Sequence, residues 1–383
     1  MSFVSVRDTP PTNGQSGPSA DSGPSADSGP SAQSGASAQS TPNPTSPGDK
    51  NTPTTVATDD GASVGPLDMP PNAEEQRQLR ERFYNATIID RIDITDDLAK
   101  FRIRPDNGIP AFDPGQYVAL GLGNWEPRLL GTQPEDVPIN KARKIVRRAY
   151  SISCPMLDEE GNLATQDSVD YLEFYITLVR RGATAVSKPP ALTPRLFGKS
   201  VGDRIVLEKK IVGKYKLGNY EPDDTMLFLG TGTGEAPHNA MAAKLLATGH
   251  RGRIIIATSV RYRHDCAYIN EHRVLMRQYP NYLYLPMTTR EPENLQPDHP
   301  QFVGKQYLQA MFTSGKLSEL AEDPLDPAHT HVYLCGNPDM IGYIAPGAEA
   351  PENPGMLPLL RAAGFRDDVQ EHHAGTIRFE KYW

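Results

Sequence analysis

Phe228-Leu229-Gly230-Thr231-Gly232-Thr233-Gly234-Glu235-Ala236-Pro237 is the stretch that decides the fold. It follows Met226-Leu227, so an apolar run of strand length enters a glycine loop. Pro237 suits the first turn of a helix, where its missing N–H costs nothing. Glycines at 230, 232 and 234 let the backbone approach a phosphate, and a helix start attracts one. The spacing departs from G-x-G-x-x-G, because Glu235 stands in the third glycine's place, and no Gly-Lys-Ser/Thr follows. The loop is therefore either a pyrophosphate cradle or a tight structural turn.

Downstream, strands and helices alternate. Helical patterns cover 237–246, 268–279 and 307–312, and buried strands are expected at 253–258, 282–285 and 331–335. This alternation predicts a doubly wound parallel sheet with helices on both faces over residues 223–383. Arg261 and Arg290 follow two of the strand ends, where arginine accommodates a 2′-phosphate and an acid would accept a ribose 2′-OH. Either arginine is otherwise a solvated surface charge.

Upstream the texture is different. Runs at 84–92 and 99–104 mix β-branched and polar residues, and 112–120 is a Pro-Gly turn running into a strand. They continue around Tyr150, 171–180 and 204–208, predicting an antiparallel β-barrel over residues 80–222. Within it, Arg148-Ala149-Tyr150-Ser151-Ile152-Ser153 joins a cation, a ring and hydroxyls on one strand. Arg148 and Tyr150 share a face, by strand alternation. A guanidinium can fork onto a phosphate, and a tyrosine ring can lie on a flat heterocycle.

Residues 1–72 are of low complexity, with SGPSAD, SGPSAD, SGPSAQ and SGASAQ in succession from Ser16 to Gln39. Such composition cannot offset the entropy of ordering, so a disordered tail is expected, a tether or a dispensable extension. A short polar helix is expected near 72–82. The 383-residue chain carries formal charge −8, which argues against nucleic-acid binding. No apolar run reaches 18 residues, so no membrane span is expected. Cys154, Cys266 and Cys335 form no metal or iron–sulfur spacing, and a cytoplasmic location without bound metal is expected. Met1–Pro10 lacks the pattern of a secretory signal.

The ordered motifs resemble the ferredoxin/flavodoxin–NADP+ reductase family. Arg148 to Ser153 resembles its R-x-Y-S flavin motif, and Phe112 to Tyr117 its P-G-Q turn. Leu192-Thr193-Pro194-Arg195-Leu196 and Val201-Gly202-Asp203 resemble its flavin-pyrophosphate loop and the strand entry after it. Gly230 to Pro237 resembles its NADP loop, and Cys335-Gly336-Asn337-Pro338-Asp339-Met340 its late C-G-x-P-x-M segment. The terminal Tyr382-Trp383 is similar to bacterial members, and the likeness spans about 80–383.

The resemblance implies an FAD-binding barrel followed by an NADP-binding domain. NADPH would pass a hydride to flavin N5, and single electrons would go to ferredoxin or flavodoxin. Arg148 would hold the FAD pyrophosphate, Tyr150 stack on the isoalloxazine and Ser151 approach N5. Thr193 would complete the phosphate site, and Tyr175, Thr177 and Val179 border the adenine side. Gly232, Thr233 and Gly234 would hold the NADP pyrophosphate, with Arg261 and Arg290 on the 2′-phosphate. Cys335 would shape the nicotinamide pocket, Tyr382 cover the flavin, and Trp383 lie near the FAD adenine.

Three features depart from the family pattern. Lys305 follows Gly304 where relatives place arginine, the 125–147 connection is long, and 346–358 looks inserted. Basic runs at 141–148 and at Lys209, Lys210, Lys214 and Lys216 suit docking of an acidic carrier to a monomer, or are solvated loops. Two other readings stand beside the reductase: an oxygenase reductase component or free flavin reductase on the same fold, and a non-catalytic NADP-binding module. Removing residues 1–72 should leave bound FAD and NADPH diaphorase activity unchanged; loss of FAD on truncation would make the tail structural.

Overall fold

Two sheets organise the chain. The computed structural model describes residues 69–184, 186–343, 354–367 and 375–382. Most of the expected tail, residues 1–68, lies outside them, as do Trp383 and 346–353 of the segment 346–358 that looks inserted.

The first sheet contains β1 (Ala86–Thr95), β2 (Leu98–Pro105), β3 (Tyr117–Gly123), β4 (Ile145–Ser151), β5 (Leu172–Thr177) and β6 (Arg204–Leu207). Their order is β4-β3-β6-β1-β2-β5, and every pairing is antiparallel. A bridge between Ser153 and Glu173 brings the end of β4 back to β5 and closes the barrel. Alternate residues fill the interior, among them Ile88, Phe101, Ile103, Val118, Leu120 and Phe174. Over 112–120 a turn runs into a strand, as expected: Gln116 N donates to Asp113 O, Gly115 has φ 97°, and β3 begins at Tyr117.

The second sheet contains β7 (Thr225–Thr231), β8 (Ile254–Val260), β9 (Tyr282–Thr288), β10 (Thr330–Gly336), β11 (Arg366–Asp367) and β12 (Thr376–Lys381). Its order is β11-β12-β10-β7-β8-β9, all parallel. Both faces are apolar. Leu227, Leu229, Ile255 and Val332 pack on one side, while Met226, Phe228, Ile254 and Tyr333 pack on the other. The expected helices at 237–246 and 268–279 are α3 (Glu235–Ala247) and α4 (Ile269–Gln278). They follow α1 (Ala73–Phe83) and the single turn α2 (Thr193–Leu196). The short helices Lys316–Ala321 and Met356–Ala362 and the strand β12 had no clear signal in the sequence pattern.

Polar contacts lock the barrel to the second sheet. The Tyr268 hydroxyl, fully buried ahead of α4, donates to Glu173 Oε1 (2.8 Å) and lies 3.0 Å from Ser153 Oγ. Lys100 Nζ donates to Glu271 (3.0 Å) over the Tyr268 ring, and Tyr175 Oη donates to Asp265 O (2.6 Å).

Beneath α3, His272 Nε2 lies 2.6 Å from Glu235 Oε1 and Nδ1 lies 2.7 Å from Tyr282 Oη. The imidazole stacks on Tyr284 at 3.7 Å, and the His272 and Glu235 side chains are fully buried. Burying such groups is tolerable only when they are paired. His272→Ala should therefore cost about 3–5 kcal/mol in urea unfolding, because it strands the Glu235 carboxyl. A loss under about 1 kcal/mol would show that solvent rescues the site.

Candidate active site

The glycine turn stands where the strand order reverses. From β7 the chain proceeds outward through β8 and β9, then crosses back to β10 on β7's other side, and ligands bind in the crevice such a reversal opens. Gly232, Thr233 and Gly234 form one tight turn between β7 and α3. Gly232 has φ 52°, a left-handed conformation that favours glycine. A Cβ on Gly234 would run into the Cys335 carbonyl, and one on Gly336 into Thr231. With both side chains absent, Asn337 N reaches Thr231 Oγ1 at 2.8 Å.

A cleft of about 530 Å³ opens at this turn. Gly232, Thr233, Arg261 and Arg290 line it, as do Tyr175 and Thr177 from the barrel. Arg261 and Arg290 extend from the ends of β8 and β9, and both are exposed. Arg261 Nε lies 3.4 Å from Asp265 Oδ2, whereas Arg290 has no ion pair among the described residues. Arg263 is turned away to Glu293 (3.0 Å). Lys305 is exposed and does not line the cleft. Tyr307, half exposed and beside Arg290 in the lining, carried no signal in the sequence.

The flavin motif occupies the end of β4. Arg148 is exposed and without an ion pair among the described residues; its guanidinium bonds the Arg147 carbonyl (2.8 Å). Tyr150 is half-buried and Ser151 is buried. Thr193 is buried, and its hydroxyl accepts from Val179 N at 3.1 Å, which ties the end of β5 to α2. Tyr175 is buried against Tyr268 and Asp265 and faces the cleft with Thr177.

Tyr382 joins the two motifs. Its N–H donates to Gly336 O (3.0 Å), its hydroxyl donates to Thr233 O (3.4 Å), and that hydroxyl also faces the Ser151 and Cys335 side chains. Burial holds both the Tyr382 phenol and the fully buried Cys335 thiol well above their ordinary pKa values, so both stay neutral near pH 7. Glu380, paired in register with Cys335, completes the cluster. Its Oε2 is buried without a hydrogen-bond partner among the described residues, and burial pushes its pKa up to about 7. Sequence reasoning did not assign it a role. The available signal was a lone acid two residues before Tyr382.

The basic runs are partly spent on internal pairs. Arg143 bonds Glu75, Arg147 bonds Glu208, and Lys216 bonds Asp113. Lys141, Lys144, Arg148, Lys209, Lys210 and Lys214 remain exposed, with no ion pair among the described residues.

Raising the pKa of an acid above its unfolded value stabilises the protein below the unfolded pKa and loses that contribution as pH rises through the folded value. For Glu380 the window runs from about 4.5 to about 7. Glu380→Gln should therefore gain in Tm over the wild type as pH rises from about 5 to 8. A constant Tm difference across that range would contradict the raised pKa.

A family profile described as the oxidoreductase NAD-binding domain matches residues 228–345. The flavodoxin/ferredoxin–NADP reductase of Buchnera aphidicola is 31% identical over 243 residues, 61% of this chain and 77% of that one. Ferredoxin–NADP reductase A of Sorangium cellulosum is 30% identical, covering 55% of this chain and 68% of its own. In fold, the chain is similar to the Neisseria gonorrhoeae ferredoxin NADP+ reductase solved with bound FAD and NADP. The TM-score is 0.56 at 18% identity, covering 78% of this chain and 98% of that one. With the motifs in order, the switch-point cleft in place and identity sustained over most of two relatives' lengths, the chain belongs to the ferredoxin/flavodoxin–NADP reductase family.

Proposed function

We propose that this chain is an FAD-dependent reductase that exchanges electrons between NADP(H) and ferredoxin or flavodoxin, as a monomer in the cytoplasm. The observation that carries the reading is the meeting of Tyr382 with Ser151 of the flavin motif and with Thr233 of the glycine turn. One side chain thus stands between the two expected nucleotide stations. We assign residues 80–222 to FAD and 223–383 to NADP(H), with 1–72 as a tail.

The residues fit both groups. Arg148 offers a guanidinium without a carboxylate partner, beside the half-buried ring of Tyr150 and the hydroxyl of Ser151, and these would hold FAD. The cleft's glycine turn would take the NADP pyrophosphate, and Arg261 and Arg290 its 2′-phosphate. When bound, FAD would supply hydride exchange with nicotinamide C4 and one-electron release to a carrier.

The chain's own residues do the rest. Tyr382 covers the Ser151 side of the site and must move aside for the nicotinamide. Cys335, neutral and buried, packs the pocket without adding charge. Glu380 holds or releases a proton beside Cys335 and Tyr382, its raised pKa matched to neutral pH. The exposed lysines on the barrel favour an acidic carrier and lose that advantage with salt.

Replacing Arg261 and Arg290 by alanine should raise the KM for NADPH about tenfold per arginine, as expected for a lost charge-assisted contact, and leave that for NADH nearly unchanged. Equal effects on both coenzymes would refute the 2′-phosphate assignment. Purified protein that is colourless and cannot be reconstituted with FAD would sink the reductase reading.

A further inference from the structure

We infer that residues 128–135, within the long connection before β4, form a strap over the adenosine end of FAD, with Leu130 lying against the adenine. The inference rests on the FAD reading above and adds a binding element that the family motifs do not contain.

The strap is tied on two sides. Leu129 N donates to Pro194 O (2.8 Å), beside Thr193 in α2. Gln133 N donates to Arg180 O (2.7 Å), and Gln133 Oε1 accepts from Gly182 N (2.8 Å) in the loop after β5. Since Thr193 also accepts from Val179 N, the strap, the loop and the α2 turn form one braced unit. These are the segments expected to meet the flavin's pyrophosphate and adenosine.

The charge there suits an anion. Glu135 is shared by two guanidinium groups, Arg128 (2.7 Å) and Arg195 (2.6 Å). Arg195 is 1% exposed, and Nε of both arginines lacks a hydrogen-bond partner among the described residues. Two cations against one carboxylate leave net positive charge beside Thr193.

The surface there suits a flat base. Leu130 is 91% exposed although the backbone on both sides of it is hydrogen-bonded. Val179 and Val186 are also exposed on the loop that Gln133 braces, and Gln133 Nε2 donates to the carbonyl of Ser187 next to Val186. Single exposed apolar residues need no explanation, but three exposed on segments that Gln133 ties together offer apolar surface that a ligand can cover. Adenine has apolar faces, and its dinucleotide is anchored by phosphates that the neighbouring cations match.

FMN lacks the adenosine, which supplies the test. Holoprotein, wild type and the variants Leu130→Ser and Gln133→Ala, is equilibrated with equimolar FAD and FMN, and the bound flavin is identified by chromatography. The strap predicts that the bound FAD:FMN ratio falls about tenfold in Leu130→Ser, the size of one lost apolar side-chain contact, with thermal unfolding of the FMN-loaded protein unchanged. Gln133→Ala should fall in the same direction. A ratio equal to wild type in both variants overturns the strap alone, as does equal loss of both flavins. Wild-type protein that holds neither flavin overturns the FAD reading and the strap with it.

Discussion

Two absent side chains set how near the ends of β7 and β10 come, and the site follows from that approach. Gly234 lies against the Cys335 carbonyl and Gly336 against Thr231, so neither position has room for a Cβ. β10 therefore delivers Cys335 to the glycine turn. β12 runs parallel to β10, with Gly336 opposite Lys381, so the same approach carries Tyr382 into place. Its amide bonds Gly336 O, and its hydroxyl reaches Thr233 O. A larger residue at 234 or 336 would shift three site residues together.

The barrel is held to this arrangement by buried polar groups rather than by an apolar face alone. Ser153 and Glu173, which close the barrel, both contact the Tyr268 hydroxyl at the start of α4. Arg102 Nε donates to Glu173 at 2.9 Å, so that carboxylate is satisfied on both oxygens. Ser153 lies two residues beyond Ser151. The lock therefore fixes the strand that presents the flavin motif, and it does so directionally, as hydrogen bonds do and apolar contacts do not.

What was legible in the sequence was what neighbours along the chain determine. Met226-Leu227-Phe228-Leu229 and the glycines after it announced a buried strand and a phosphate-compatible turn, because apolar runs and φ requirements are local. β12 was missed because Thr376-Ile377-Arg378-Phe379-Glu380-Lys381 is too polar for a strand paired on both sides. The fold accommodates Arg378 by placing it on the Tyr333 hydroxyl (3.0 Å) and near its ring. Tyr175 was expected on the FAD adenine side, and the structure places it in the lining of the cleft at the glycine turn. Its bond to Asp265 was not legible, since it depends on how the barrel meets a loop ninety residues away.

Glu380 shows the limit most sharply, because its chemistry comes entirely from surroundings assembled out of distant segments. Tyr215, Cys335 and Tyr382 all lie within its electrostatic reach, and nothing among the described residues donates to its Oε2. Leaving a buried acceptor unpaired costs about 1–3 kcal/mol, which substitution with an apolar group would remove. β12 carries Glu380 beside Tyr382, which meets Ser151 and Thr233, and burial there pushes the carboxyl up to about 7. The neutral thiol and phenol beside it supply no competing charge.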